Sequence, residues 1–209
     1  MKHYIAIAGN IGAGKTVISK KLAKHFDWQL YQEPFQENPY LRDYYNDMTK
    51  WAFKCEMFFL GRRLQDHLEI LESANVTIQD RCIYEGAEIF VKNLYLNGHL
   101  AETDWQNYNN LYQSIKKTIT PPDLIVYVKS STDRCLKNIN KRNRNVEFHM
   151  SSDYIANLNK LYEEWIKSFD LCPILIADAD NNEFKYVEND FVNLANQIQD
   201  SLEKQITKQ

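Results

Sequence analysis

The chain has 209 residues, enough for one α/β domain that buries roughly 70% of its unfolded surface, and no second full domain is expected. Its 25 Lys and Arg against 28 Asp and Glu leave a formal charge of −3, which gives neither duplex nucleic acid nor an anionic membrane an electrostatic footprint, so small molecules are the expected partners. Scattered cysteines without a C-x-x-C pair, scattered histidines, no long apolar run and no cationic leader argue for a cytoplasmic protein with reduced thiols and no transition metal.

Tyr4 to Ala8 is a short apolar run, and Ile18, Leu22 and Phe26 then repeat with helical spacing. Between them Gly9-Asn10-Ile11-Gly12-Ala13-Gly14-Lys15-Thr16 matches G-x-x-x-x-G-K-[ST], at the strand-to-helix junction where this phosphate loop works. Three of the six glycines fall here, where missing Cβ atoms let successive N–H groups close around phosphate oxygens. Lys15 is expected to reach the β- and γ-phosphates, and the Thr16 hydroxyl to be a Mg²⁺ ligand.

Gln29 to Gln32 is the second strand, followed by Glu33-Pro34, where the proline holds Glu33 extended at the strand's C-terminal end. A helical pattern over about 51–73 leads to a third strand, Val76 to Gln79, and then to Asp80-Arg81. Helical patterns at about 83–97 and 104–118 precede the strand Leu124 to Lys129, and those at 131–142 and 151–168 precede Ile174 to Ala177, before a last helix at 188–204. Asn138 to Asn145 is a polar, basic stretch suited to a mobile lid, set at about 138–150. Strands alternating with helices predict a doubly wound α/β fold over 1–209, a five-stranded parallel sheet with helices on both faces. Two acids and an arginine are then expected to converge near the phosphate loop.

A phosphate loop does not by itself separate a kinase from a switch or a motor. Asn140-Lys141-Arg142-Asn143 lacks the acid of the guanine-reading N-K-x-D segment. Taken with the phosphate loop and Glu33-Pro34, the segments Asn38-Pro39-Tyr40-Leu41, Lys50-Trp51-Ala52-Phe53, Asp80-Arg81-Cys82-Ile83-Tyr84 and Lys141-Arg142-Asn143-Arg144 resemble the deoxyribonucleoside kinase family, from residue 4 to about 184. The resemblance is strongest to the bacterial deoxyadenosine and deoxyguanosine kinases. It implies the P-loop kinase fold, ATP with Mg²⁺, a homodimer built from long helices, and transfer of the γ-phosphoryl group to a deoxynucleoside 5′-hydroxyl. By the same resemblance Glu33 is the general base, Asp80 the magnesium-associated acid, and Arg81 the arginine that holds the 5′ region. Arg142 and Arg144 match lid arginines, Tyr45 and Glu147 fall where the sugar 3′-hydroxyl binds, and Phe90 falls where an aromatic ring stacks on the base.

Four positions depart from the family pattern: Glu56, Gly86, Asn38, and Asn143, which stands where the family has its first lid glycine. Glu56 stands where a glutamine is common; an ionised carboxylate accepts twice, which suits guanine N1–H and N2–H₂ and leaves adenine N1 unmatched. Arg63, seven residues on and on the same helix face, either donates to guanine O6 and N7 or neutralises Glu56. Gly86 replaces an aspartate that would orient Arg63 or touch the base, and Asn38 stands where animal members have a tryptophan. The expected acceptor is a purine deoxynucleoside, deoxyguanosine before deoxyadenosine. The alternatives are a broad-range deoxynucleoside kinase, a thymidylate-type monophosphate kinase, which Glu33 disfavours by repelling an acceptor phosphate, and a nucleotide-dependent switch without transfer.

Overall fold

The computed structural model describes residues 2–33, 35–142 and 151–206. Five strands, β1 (Tyr4–Gly9), β2 (Gln29–Tyr31), β3 (Thr77–Asp80), β4 (Leu124–Lys129) and β5 (Ile174–Asp178), form one parallel sheet in the order β2-β3-β1-β4-β5. Every residue of β1 is buried, as a central parallel strand covered on both faces requires. Side chains alternate between two cores: Tyr4, Ala6, Ala8, Ile125 and Tyr127 pack on one face, and Ile5, Ile7, Leu124, Val126 and Val128 on the other.

The first core is covered by α2 (Leu41–Asn46), α3 (Met48–Glu72), α6 (Glu102–Lys116) and α8 (Ser152–Ser168), together with the helical segment after β3. The second is covered by α1 (Lys15–Phe26), α7 (Thr132–Arg142) and α9 (Glu188–Ile206). The sheet and its two helical layers match the predicted doubly wound fold. Because β3 and β4 flank β1, the chain order reverses at β1, and the loop leaving its C-terminal end sits at the switch point where such sheets bind ligands.

Two stretches differ from the sequence-based expectation. α2 and a 3₁₀ turn at Phe35–Glu37 were not expected, and α3 starts at Met48 rather than 51 because the Asp47 carboxylate accepts from Lys50 N at 3.1 Å and caps it. The pattern read as one helix over 83–97 is α4 (Ile83–Glu85), a π-helical stretch (Gly86–Val91) and α5 (Lys92–Leu96). All four cysteines are free thiols, and among the described residues no helix is long and apolar enough to cross a membrane.

Candidate active site

The phosphate loop owes its shape to backbone that only glycine holds easily. Gly12 has φ 79°, and a Cβ there would collide with the Cys135 carbonyl oxygen of α7; Gly14, at φ 103°, starts α1 with no side-chain cap. The Asn138 amide donates to Gly12 O at 2.8 Å, tying the base of α7 to the loop. Asn10, almost fully buried, accepts from Ile11 N and donates to Ile155 O at 2.9 Å and Asn159 Oδ1 at 2.7 Å, which anchors the loop to α8. Ala13 N donates to Asn10 O, and Lys15 Nζ donates to the same carbonyl at 2.9 Å. Burial, with the Arg81 charge added, lowers the Lys15 ammonium to about 8.

The Thr16 hydroxyl donates to Asp80 Oδ2 at 2.5 Å, while Asp80 Oδ1 is buried without a partner and burial raises the carboxyl. A hydroxyl and a carboxylate with one oxygen unused, beside a phosphate loop, are hard oxygen donors of the kind that suit Mg²⁺. Among the described residues no group of three or more His, Cys, Asp and Glu forms a closed metal cage. The residues fit Mg²⁺ held jointly with a nucleotide.

Glu33 leaves the end of β2 and receives two guanidinium contacts on one oxygen: Arg63 Nη2 and Arg81 Nε each lie 2.8 Å from Oε1. Burial alone would raise this carboxyl, but Arg81 and Arg63 outweigh it and hold Glu33 at about 2. Arg81 has φ 77°, a left-handed conformation that costs a non-glycine residue roughly 1 kcal/mol or more, and its N–H donates to Ile7 O of β1 at 3.0 Å. The fixed turn aims its guanidinium at Glu33 and, through Nη1, at Glu85 Oε1 at 3.0 Å.

Glu85 was not singled out in the sequence, yet it is fully buried at the centre of this network. Its Oε1 accepts from Gly9 N at 3.0 Å and meets the Tyr162 hydroxyl, which also lies 2.8 Å from Gly9 O. The four-residue step from Arg81 was the available signal. One carboxylate therefore joins the phosphate loop to Arg81.

The π-helical stretch puts Phe90 over Arg81, 4.3 Å from guanidinium carbon to ring centre, and edge-on to Tyr162. Arg63 does not neutralise Glu56 directly; it pairs with Glu33, and its Nη1 fills the space that a side chain at Gly86 would occupy. Glu33 is thus the carboxylate that orients Arg63. Glu56 is buried, with Oε2 unpartnered, and burial outweighs the pull of Arg63 to raise it to about 7. Asn38 is buried too and donates to Cys55 O at 3.1 Å, bracing α3. Tyr45 is half-buried against the Tyr44 ring, and Arg142 is exposed at the end of α7. Arg144 and Glu147, with Pro34, Asn143 and the lid beyond 142, lie outside the described residues.

The deoxynucleoside kinase family model matches residues 5–203. A deoxyadenosine/deoxycytidine kinase of Bacillus subtilis is 31% identical over 196 residues, covering 93% of this chain and 90% of the relative. A deoxyguanosine kinase of the same organism is 29% identical, covering 94% and 96%. The solved structure of deoxyadenosine kinase from M. mycoides, with dCMP and dCDP bound, is similar with a TM-score of 0.85 at 30% identity, covering 94% of this chain and 99% of that one; the same enzyme has been solved with dATP.

Proposed function

The chain belongs to the deoxynucleoside kinase family, and on that premise we propose that it transfers the γ-phosphoryl group of ATP to the 5′-hydroxyl of a purine deoxynucleoside, deoxyguanosine first and deoxyadenosine next. The observation that carries the reading is Glu33: a carboxylate ionised at any working pH, held by two arginines at the strand edge that also carries the phosphate loop.

In this reading the loop Gly9 to Thr16 cradles the phosphates, with Lys15 on the β- and γ-phosphates. Thr16 and Asp80 would hold Mg²⁺, which would supply charge neutralisation at the phosphates. Glu33 accepts the hydrogen bond of the 5′-hydroxyl. As the O5′–P bond forms and the bond from phosphorus to the β–γ bridging oxygen breaks, ADP leaves and the hydroxyl proton passes to Glu33. A carboxylate near 2 is a weak base toward a free alcohol, so its first task is orientation; the proton moves late, once bonding to phosphorus has made it acidic. Arg81 supports the transferring charge, joined by Arg142 and Arg144 from the lid, for which fixed guanidinium donors suit.

Tyr45 and Glu147 take the sugar 3′-hydroxyl, Phe90 the base face, and Glu56 with Arg63 the base edge. The working unit is one domain over 1–209, cytoplasmic and homodimeric, serving nucleotide salvage. The test is product analysis with ATP, Mg²⁺ and each of the four deoxynucleosides. Deoxynucleoside 5′-monophosphate and ADP in equal amounts are expected, with deoxyguanosine and deoxyadenosine ahead. Turnover confined to a monophosphate acceptor would instead favour the thymidylate-type reading.

A further inference from the structure

Glu56 lies on the buried face of α3 with Cys55, Phe59 and Arg63, only 5% exposed, and its Oε2 reaches neither solvent nor a hydrogen-bond donor. Its natural counter-ion is committed elsewhere. Arg63 sends Nη2 to Glu33 at 2.8 Å, lays its guanidinium over Phe59 at 4.8 Å, and lodges Nη1 against Gly86. A buried carboxylate without a directly bonded cation is costly to ionise, so the proton has a reason to stay.

The titratable and charged groups facing Glu56 among the described residues come from six elements. They are Arg63 and Cys55 on α3, Tyr44 on α2, Glu33 after β2, Arg81 after β3, Tyr108 on α6 and Tyr154 on α8. Burial pushes the thiol of Cys55 and the phenols of Tyr44 and Tyr108 up, and takes Tyr154 to about 12, so none of these four changes charge near neutrality. Glu33 stays ionised and both arginines stay charged. Glu56 alone in this set titrates near pH 7.

The two forms of the carboxyl read different base edges. Ionised, it accepts twice and matches guanine N1–H and N2–H₂; protonated, it donates once and accepts once, and so matches adenine N1 and N6–H₂ as a glutamine amide would. We propose that the proton on Glu56 selects the acceptor, deoxyguanosine when it is absent and deoxyadenosine when it is present, so that the purine preference inverts with pH. The proposal rests on the reading that Glu56 faces the base edge. Cytosine N3 and N4–H₂ repeat the adenine pattern, so deoxycytidine follows the deoxyadenosine branch.

Competition between the purines isolates this proton from every other titration. The ratio of kcat/KM for deoxyadenosine to that for deoxyguanosine cancels groups that both acceptors need, such as Glu33, Lys15 and the phosphates, and neither purine base titrates near neutrality. If each acceptor requires one form of Glu56, the ratio falls by about tenfold per pH unit between about pH 6 and 8. In Glu56→Gln the amide donates and accepts at every pH, so the ratio stays level and favours deoxyadenosine. A level ratio in the unaltered protein overturns the proposal while leaving a purine kinase in place, and a slope that persists in Glu56→Gln overturns it by assigning the proton elsewhere. Failure of both purines at every pH overturns this proposal and the proposed function together.

Discussion

Glu33 and Glu56 lie near the same two arginines and are held on opposite sides of the ordinary carboxyl value of 4.5, at about 2 and about 7. The difference is contact: Glu33 has both guanidinium groups within 2.8 Å, while Glu56 has burial without a bonded cation. Their effects on stability have opposite sign. The contribution of Glu33 is present above 4.5 and is lost as the pH falls through about 2; that of Glu56 is present below 4.5 and is lost as the pH rises through about 7. Glu56→Gln is therefore expected to become more stable relative to the parent as the pH rises from about 5 to 8, by on the order of 2 kcal/mol, read from urea midpoints at each pH. A constant difference would mean that Glu56 is already ionised in the folded chain. That Glu33 and Asp80-Arg81 converge beside the phosphate loop was legible because each follows a strand. The choice of Glu33 rather than Glu56 by Arg63 was not, since it depends on how β2 and α3 meet in space and on the room left at Gly86.

The segment from Ile83 to Leu96 reads in sequence as an ordinary amphipathic helix, and the widening over Gly86–Val91 leaves the apolar period nearly intact. Only the structure shows that it sets Phe90 over Arg81 and Gly86 under Arg63. Gly86→Ala places a Cβ on Arg63 Nη1, the end of a flexible side chain, so the fold should survive while the Arg63–Glu33 pair opens. We expect kcat/KM for the acceptor to fall about 10-fold or more with the KM for ATP unchanged, as measured by steady-state kinetics. Glu85→Ala has a different signature, because it leaves Arg81 buried without its second carboxylate and removes the acceptor of Gly9 N. It should cost on the order of 3 kcal/mol in urea titration, and a loss within about 0.5 kcal/mol would show that the link to the phosphate loop is dispensable. Tyr162, unlike Glu85, had no local signal in the sequence, because β1, α4 and α8 meet only in the folded chain.

Across the molecule, strand count and layering followed from alternating patterns, whereas the order β2-β3-β1-β4-β5 is a non-local property that no local pattern encodes. That order brings the ends of β1, β2 and β3 to one edge and so turns three separate motifs, Gly9 to Thr16, Glu33 and Asp80-Arg81, into one site. The proposed homodimer would draw on α3 and on the helical segment from Ile83 to Leu96, and light scattering should return twice the 24.7 kDa chain mass. In the proposed reaction the γ-phosphoryl group of ATP passes to a nucleoside hydroxyl oriented by Glu33. Its most direct test is ADP release from ATP and Mg²⁺, with and without deoxynucleoside, by the parent and by Glu33→Gln. Release should require the nucleoside and fall by about 10²-fold or more in the variant, with ATP still bound. Release that ignores the nucleoside, or survives the loss of the Glu33 charge, would contradict it.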